Sequence, residues 1–124
     1  MKRSLTPLGE TEMEILHIVW EMGDASVSDV HEVILKSRKA AYTTVMTVMK
    51  NLYEKGYLTF RKDGMAYIYS PAKPATEVKH NLLQQMVDKV FRGSPAELVQ
   101  SLVENETLTE EERAQIEALI NKTQ

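Results

Sequence analysis

Three hydroxyls and a cation stand close together at Thr43, Thr44, Thr47 and Lys50, with Asn51 beside them. They lie in the stretch Ala40 to Gly56, AAYTTVMTVMKNLYEKG. Short hydroxyls, an amide and an ammonium both donate and accept hydrogen bonds without forming a dense charge cluster. That chemistry suits the base edges in a nucleic-acid groove. Catalytic chemistry has less to build on. The chain has no cysteine, which excludes thiolate metal sites, thiol catalysis and a disulfide scaffold. His17, His31 and His80 fall on three different expected helices, and none pairs with another at helical spacing. Glu77 with His80 supplies too few ligands for a metal site. The five glycines are scattered, so no phosphate loop is formed. No Ser-His-Asp or paired-carboxylate constellation stands out. The chain reads as neither an enzyme nor a cofactor carrier.

Charge supports the groove reading locally. The net charge of −3 conceals a gradient. Residues 1–35 carry a net −5 and residues 74–124 a net −4, whereas residues 36–73 carry +6. The cations of that middle stretch surround the threonines: Lys36, Arg38, Lys39, Lys50, Lys55, Arg61, Lys62 and Lys73. A local basic stretch matters for phosphate contact more than the global balance does. No apolar run approaches the ~20 residues of a membrane span. The start, MKRSLTPLGE, lacks the apolar core of a secretory signal. A cytoplasmic protein without membrane insertion is expected.

The positioning elements follow from periodicity. Within Ala40 to Gly56, Val45, Val48, Met49 and Leu52 recur every three or four residues and form one buried stripe of a helix. Gly56 ends it. Upstream, Leu5 to Glu21 reads as a first helix with Met13, Ile15, Leu16, Val19 and Trp20 inward. Ser26 caps a second, with Val27, Val30, Val33 and Ile34 inward. The basic link Lys36-Ser37-Arg38-Lys39 joins it to the third. Downstream the period shifts to two. Tyr57 to Lys62 and Met65 to Ser70 read as strands about an Asp63-Gly64 turn. One face of that hairpin must pack, so only one of Tyr67 and Tyr69 is expected to be free. Helix, helix, helix, hairpin is the order of a winged helix-turn-helix, with the third helix in the major groove and the hairpin along the backbone.

Pro71 and Pro74 punctuate a linker. Thr76 to Arg92 is a fourth helix. A fifth starts at Ser94-Pro95-Ala96-Glu97 and runs to about Asn105, and a sixth starts at the capping box Thr109 to Glu112. These short amphipathic helices are too small to build a good core alone, and a second copy of the chain is the economical partner. The fold class expected is mostly α with a small β-hairpin wing. A winged-helix domain over 1–75 is followed by a helical dimerisation domain over 76–124.

The segments EMEILHIVWEMG, SVSDVHEVI, AYTTVMTVMKNLYEKGYL and AYIYSP, with FRGSPAELVQSLVENETLTEEERAQIEALINK, resemble the penicillinase repressor family (BlaI/MecI type) along nearly the whole chain. The resemblance implies a homodimeric winged-helix repressor on a dyad-symmetric operator in double-stranded DNA. It implies a recognition helix around 42–55, a wing around 58–70 and interlocking C-terminal helices. The copper-responsive branch, with its Cys-rich metal motif, is excluded. Resemblance and exposed face together make Thr43, Thr44, Thr47 and Lys50 the base-contact candidates. Lys36, Ser37, Arg38, Tyr42, Arg61, Lys62 and Tyr67 are phosphate-contact candidates, which position rather than specify. Leu98, Leu102 and Leu119 are expected at the dimer interface. In the antibiotic-responsive members a membrane sensor protease cuts an Asn-Phe bond in the fifth helix. Ser101 and Leu102 align with that bond, with both residue types changed. Two other readings stay open: a winged-helix regulator that senses a small molecule, and a winged-helix protein-interaction module without DNA.

Overall fold

The structure, a computed structural model, describes residues 8–105 and 108–122. The start expected for the first helix at Leu5 lies outside them, and within them the helix begins later than expected, at Glu10, because Gly9 is its extended N-cap. Helix α1 spans Glu10–Met22, strand β1 Ala25–Ser26, helix α2 Val27–Leu35 and helix α3 Tyr42–Glu54. Strands β2, Leu58–Asp63, and β3, Ala66–Pro71, form a hairpin. Helices α4, Ala75–Val90, α5, Pro95–Glu104, and α6, Glu110–Lys122, follow. None is long and apolar enough to cross a membrane among the described residues.

The helix starts follow their caps. Gly9 has no side chain to offer, but its N–H donates to Glu12 Oε1 at 2.9 Å. Ser26 and Asp29 form a full reciprocal box, with bonds of 3.0 and 3.1 Å. Thr109 and Glu112 do the same at 3.0 Å each way. At α5, Ser94 Oγ accepts from the Glu97 N–H at 3.1 Å, and Pro95 takes the first helical position. Each cap satisfies amide donors that the first turn leaves open.

Three α1–α3 stripes and the hairpin base close one core. Ile15, Leu16 and Val19 of α1, Val30 and Ile34 of α2, and Val45, Met49 and Leu52 of α3 are at most 1% exposed. Tyr57, Leu58 and Tyr69 complete it from the wing side. Met13, Trp20, Val33 and Val48, also expected inward, are only half-buried at its margin. Trp20 instead takes His17 edge-on, with ring centroids 5.2 Å apart.

Two details of the sheet depart from expectation. First, β1 is an added strand: Ala25 pairs with Tyr69 and Ser26 with Ile68, giving an antiparallel sheet of order β1-β3-β2. A two-residue strand is too short to show a period in the sequence. Second, the hairpin loop is Gly64-Met65, not Asp63-Gly64, because Asp63 pairs with Ala66 across the ladder. Gly64 takes the left-handed φ of 64°, the glycine-first pattern of a II′ turn.

The chain groups into two compact units, one reaching to His80 and the other starting at Asn81. That division falls inside α4. The first turns of α4 stay with the first unit: Val78 is 2% exposed and Lys79 Nζ lies 5.6 Å from the Trp20 ring centroid. In the second unit Val87 is buried, but α5 and α6 bury no residue. Leu83, Met86, Val90, Val99, Leu102, Leu119 and Ile120 are all exposed.

Candidate nucleic-acid interface

Helix α3 presents its polar side outward because the opposite side is committed to the core. With Val45, Met49 and Leu52 inward, Thr43, Thr44, Thr47, Lys50 and Asn51 must point to solvent, and all five are exposed. The four base-contact candidates therefore lie side by side on one helix face. Among the described residues Lys50 has no ion-pair partner.

Four contacts fix this helix in the first unit. Lys55 Nζ, in the turn that closes α3, meets Glu12 of α1 at 2.8 Å. Burial alone would raise the Glu12 carboxyl, but the Lys55 bond and the Gly9 N–H outweigh it and hold it below its ordinary value. At the other end the His31 Nε2 lies 2.7 Å from the Ala40 carbonyl, and the His31 ring meets Tyr42 edge-on at 5.6 Å. Arg38 is paired with Glu14 of α1, which ties the α2–α3 turn to the first helix. That bond, and then the charge of Glu14, raise the guanidinium further above its ordinary range.

The wing is attached to α3 by a three-residue link, Lys55-Gly56-Tyr57. Gly56 has φ 91°, and the Tyr57 N–H donates back to the Leu52 carbonyl at 2.9 Å. This left-handed closure turns the chain from helix to strand without a flexible loop. On the wing itself Phe60 is the hub of an aromatic cluster. Its ring centroid lies 4.7 Å from Tyr53, 5.2 Å from Tyr67 and 5.7 Å from Tyr69. Tyr67 and Tyr69 thus share a face of the hairpin, and their distance from its base decides their exposure. Tyr69 is buried and Tyr67 is 49% exposed. Lys62 Nζ stands 5.9 Å from the Tyr67 ring centroid. At the wing base Asp24 accepts from Ser70 Oγ at 2.6 Å and from Arg61 Nη1 at 3.2 Å. The Ser70 bond first, then Arg61, lowers its carboxyl.

The phosphate-contact candidates divide. Lys36, Tyr42, Lys62 and Tyr67 are exposed. Ser37 uses its hydroxyl to cap the Ile34 carbonyl at 3.2 Å. Arg38 and Arg61 hold carboxylates, yet both remain well exposed, and such surface pairs exchange readily for another anion. Leu98 and Ser101 are half-buried and Leu102 and Leu119 exposed in α5 and α6 of the second unit. Among the described residues no cluster of side chains is arranged to hold a metal ion.

Sequence reasoning passed over Met46, Tyr53, Phe60 and Met65. All are more than two-fifths exposed, Met65 at the wing tip almost fully. Nothing in their spacing singled them out, and only the packing reveals that they line the space between α3 and the wing.

Comparison with known proteins agrees with this architecture. The Penicillinase repressor family matches residues 8–122. The methicillin resistance regulatory protein MecI of Mammaliicoccus sciuri is 27% identical over 115 residues, spanning 93% of this chain and 94% of that protein. The DNA-binding domain of the repressor BlaI, solved in solution, superposes with a TM-score of 0.54 at 22% identity, covering 62% of this chain and 93% of that one. The monomeric form of Bacillus licheniformis BlaI, solved in complex with the blaP half-operator, gives 0.50 at 22% identity, again over 62% and 93%. The two solved structures share the winged-helix fold of the first unit. The family is one of repressors and not of enzymes, and its match runs through both units. The chain belongs to the penicillinase repressor family.

Proposed function

We propose that this protein is a DNA-binding transcriptional repressor that acts as a homodimer on a two-fold symmetric operator. The observation that carries the reading is the outward face of α3, where Thr43, Thr44, Thr47 and Lys50 stand together beside the wing. That face offers hydrogen-bonding groups of the size that enters a major groove. Lys36, Tyr42, Lys62 and Tyr67 flank it and meet phosphates, and Arg38 and Arg61 join them by exchanging their carboxylates. The solved BlaI–half-operator complex supports the same use of the fold. A dimer seated on a promoter excludes polymerase sterically, inside the cytoplasm where the DNA is.

The second copy covers the apolar side chains of α5 and α6, with Leu98, Leu102 and Leu119 at the contact. A homodimer explains why helices with no buried residue persist as helices. Relief of repression fits a cut at Ser101–Leu102 by a membrane sensor protease. The bond lies in the last turn of α5, and breaking it removes Leu102 from the interface without touching α3.

The test is protection of the DNA upstream of the gene by the purified full-length protein. The expected result is a protected segment with two-fold symmetry, bound with a steep salt dependence. With about 6–10 phosphates contacted, affinity falls roughly 10³–10⁵-fold between 50 and 200 mM salt. No protection and no retention on heparin would overturn the reading in favour of a protein-interaction module. Mass spectrometry of the repressor before and after a cell-wall antibiotic tests the cut. An intact chain in induced cells would point instead to a small-molecule signal.

A further inference from the structure

One apolar side chain on α3 has no place in the core and no neighbour that fills the space around it. Met46 is 43% exposed. It lies one helical turn from Thr43 and from Lys50, next to Thr47, on the shoulder of α3 that faces the wing. Two clefts flank it. One, of about 410 Å³, is also lined by Tyr42, Met65 and Tyr67. The other, of about 480 Å³, is also lined by Thr47, Lys50 and Phe60. Open space on both sides leaves the unbranched thioether free to swing about its rotatable bonds. A wet apolar group among hydroxyls and an ammonium gains free energy when something apolar covers it. Base edges in the major groove offer hydrogen-bond donors, acceptors and a single type of apolar group, the C5-methyl of thymine.

We propose that Met46 is a specificity-determining residue that packs its thioether on the C5-methyl of one thymine in each operator half-site. The inference rests on the DNA-binding reading and narrows it. Thr43, Thr44, Thr47 and Lys50 answer the hydrogen-bonding pattern of the bases, and Met46 answers the one feature of the groove that they cannot. It is longer than the threonines beside it and unbranched, so it reaches inward from the shoulder where a threonine would not.

Full-length protein is used to select its preferred site from a randomised duplex pool. The site is then resynthesised with dU in place of dT, one position at a time in one half-site, which removes a methyl group and nothing else. The expected result is one position where dU weakens binding about three- to fivefold, the worth of burying roughly one methyl. In Met46→Ala the dT and dU duplexes bind alike, with an unchanged salt slope because no phosphate contact is lost. Met46→Leu retains part of the discrimination. Silence at every dU position in the wild type, or a dU penalty undiminished in Met46→Ala, overturns the proposal. Failure to select any duplex defeats the DNA-binding reading itself, which is a different result.

Discussion

Glu12 and Lys55 join the first and third helices through a bond that is mostly shielded, with side chains 14% and 25% exposed. Glu12→Gln keeps the shape but removes the charge, and is expected to lower stability by about 1–2 kcal/mol. The pH dependence has a definite sign. The folded carboxyl titrates below its ordinary value of 4.5, so the pair stabilises fully above that pH. The contribution is lost as pH falls through the folded value. Denaturant melts from pH 7 down to 3 should show wild type and variant converging below about pH 4.5. A constant gap would show that the charge is irrelevant. At the same scale, Thr44→Ala or Thr47→Ala should weaken specific DNA by about 1–3 kcal/mol and leave non-specific binding nearly intact. Arg61→Ala should weaken both about equally, because a phosphate contact carries no sequence information. Titrations on operator and scrambled duplexes separate the two, and equal losses for the threonine variants would remove base reading from this face. The cations themselves were plain in the sequence. Their carboxylate partners were not, since Arg38 and Glu14, or Arg61 and Asp24, meet only when distant segments pack.

The element that sets the wing against α3 is the left-handed turn at Gly56. A Cβ there meets nothing within 4 Å, so the cost of adding one is conformational rather than steric. Gly56→Ala is expected to lose about 1–2 kcal/mol through the positive φ alone. Gly56→Asn should recover part of that loss, since asparagine tolerates the left-handed region better. Equal melting of Gly56→Ala and wild type would mean that the turn relaxes to another conformation. Helix existence and type were legible here because α1, α2 and α3 each carry a full apolar stripe and recognisable stop signals. The hairpin was legible as well, but its loop was off by one residue. Asp-Gly is a strong local turn signal, and the cross-strand register of Asp63 with Ala66 overrode it.

For the molecule as a whole, the second unit cannot bury its own apolar surface. Leu119 is 62% exposed, so a charge placed there disturbs little within one chain. Leu119→Glu should therefore leave the melting of the first unit unchanged while shifting sedimentation towards the monomer. Affinity for a two-half-site operator should then fall by about 10²–10⁴, the worth of linking two binding events. A variant that stays dimeric with full affinity would place the interface elsewhere. The division within α4 belongs to this scale too. The prolines at 71 and 74 mark where the hairpin ends, and from sequence they looked like the domain boundary. Val78 and Lys79 pack on the first unit beyond them, which no local signal announces.

Periodicity and capping are properties of neighbouring residues, so the chain's order alone determined the helix-helix-helix-hairpin arrangement, the polar outer face of α3 and the basic middle of an acidic chain. They also determined the apolar stripes of the terminal helices, of which the structure leaves Leu102, Leu119 and Ile120 exposed. Only the tertiary structure decided which cations hold carboxylates, which of two equivalent tyrosines is covered, that Ala25 and Ser26 add a third strand, and that Met46 is left between two clefts. Each of these depends on which distant surfaces come within a few ångströms, and residue type does not encode that distance. A methionine's type alone does not say whether it is covered, and Met46 is left 43% exposed.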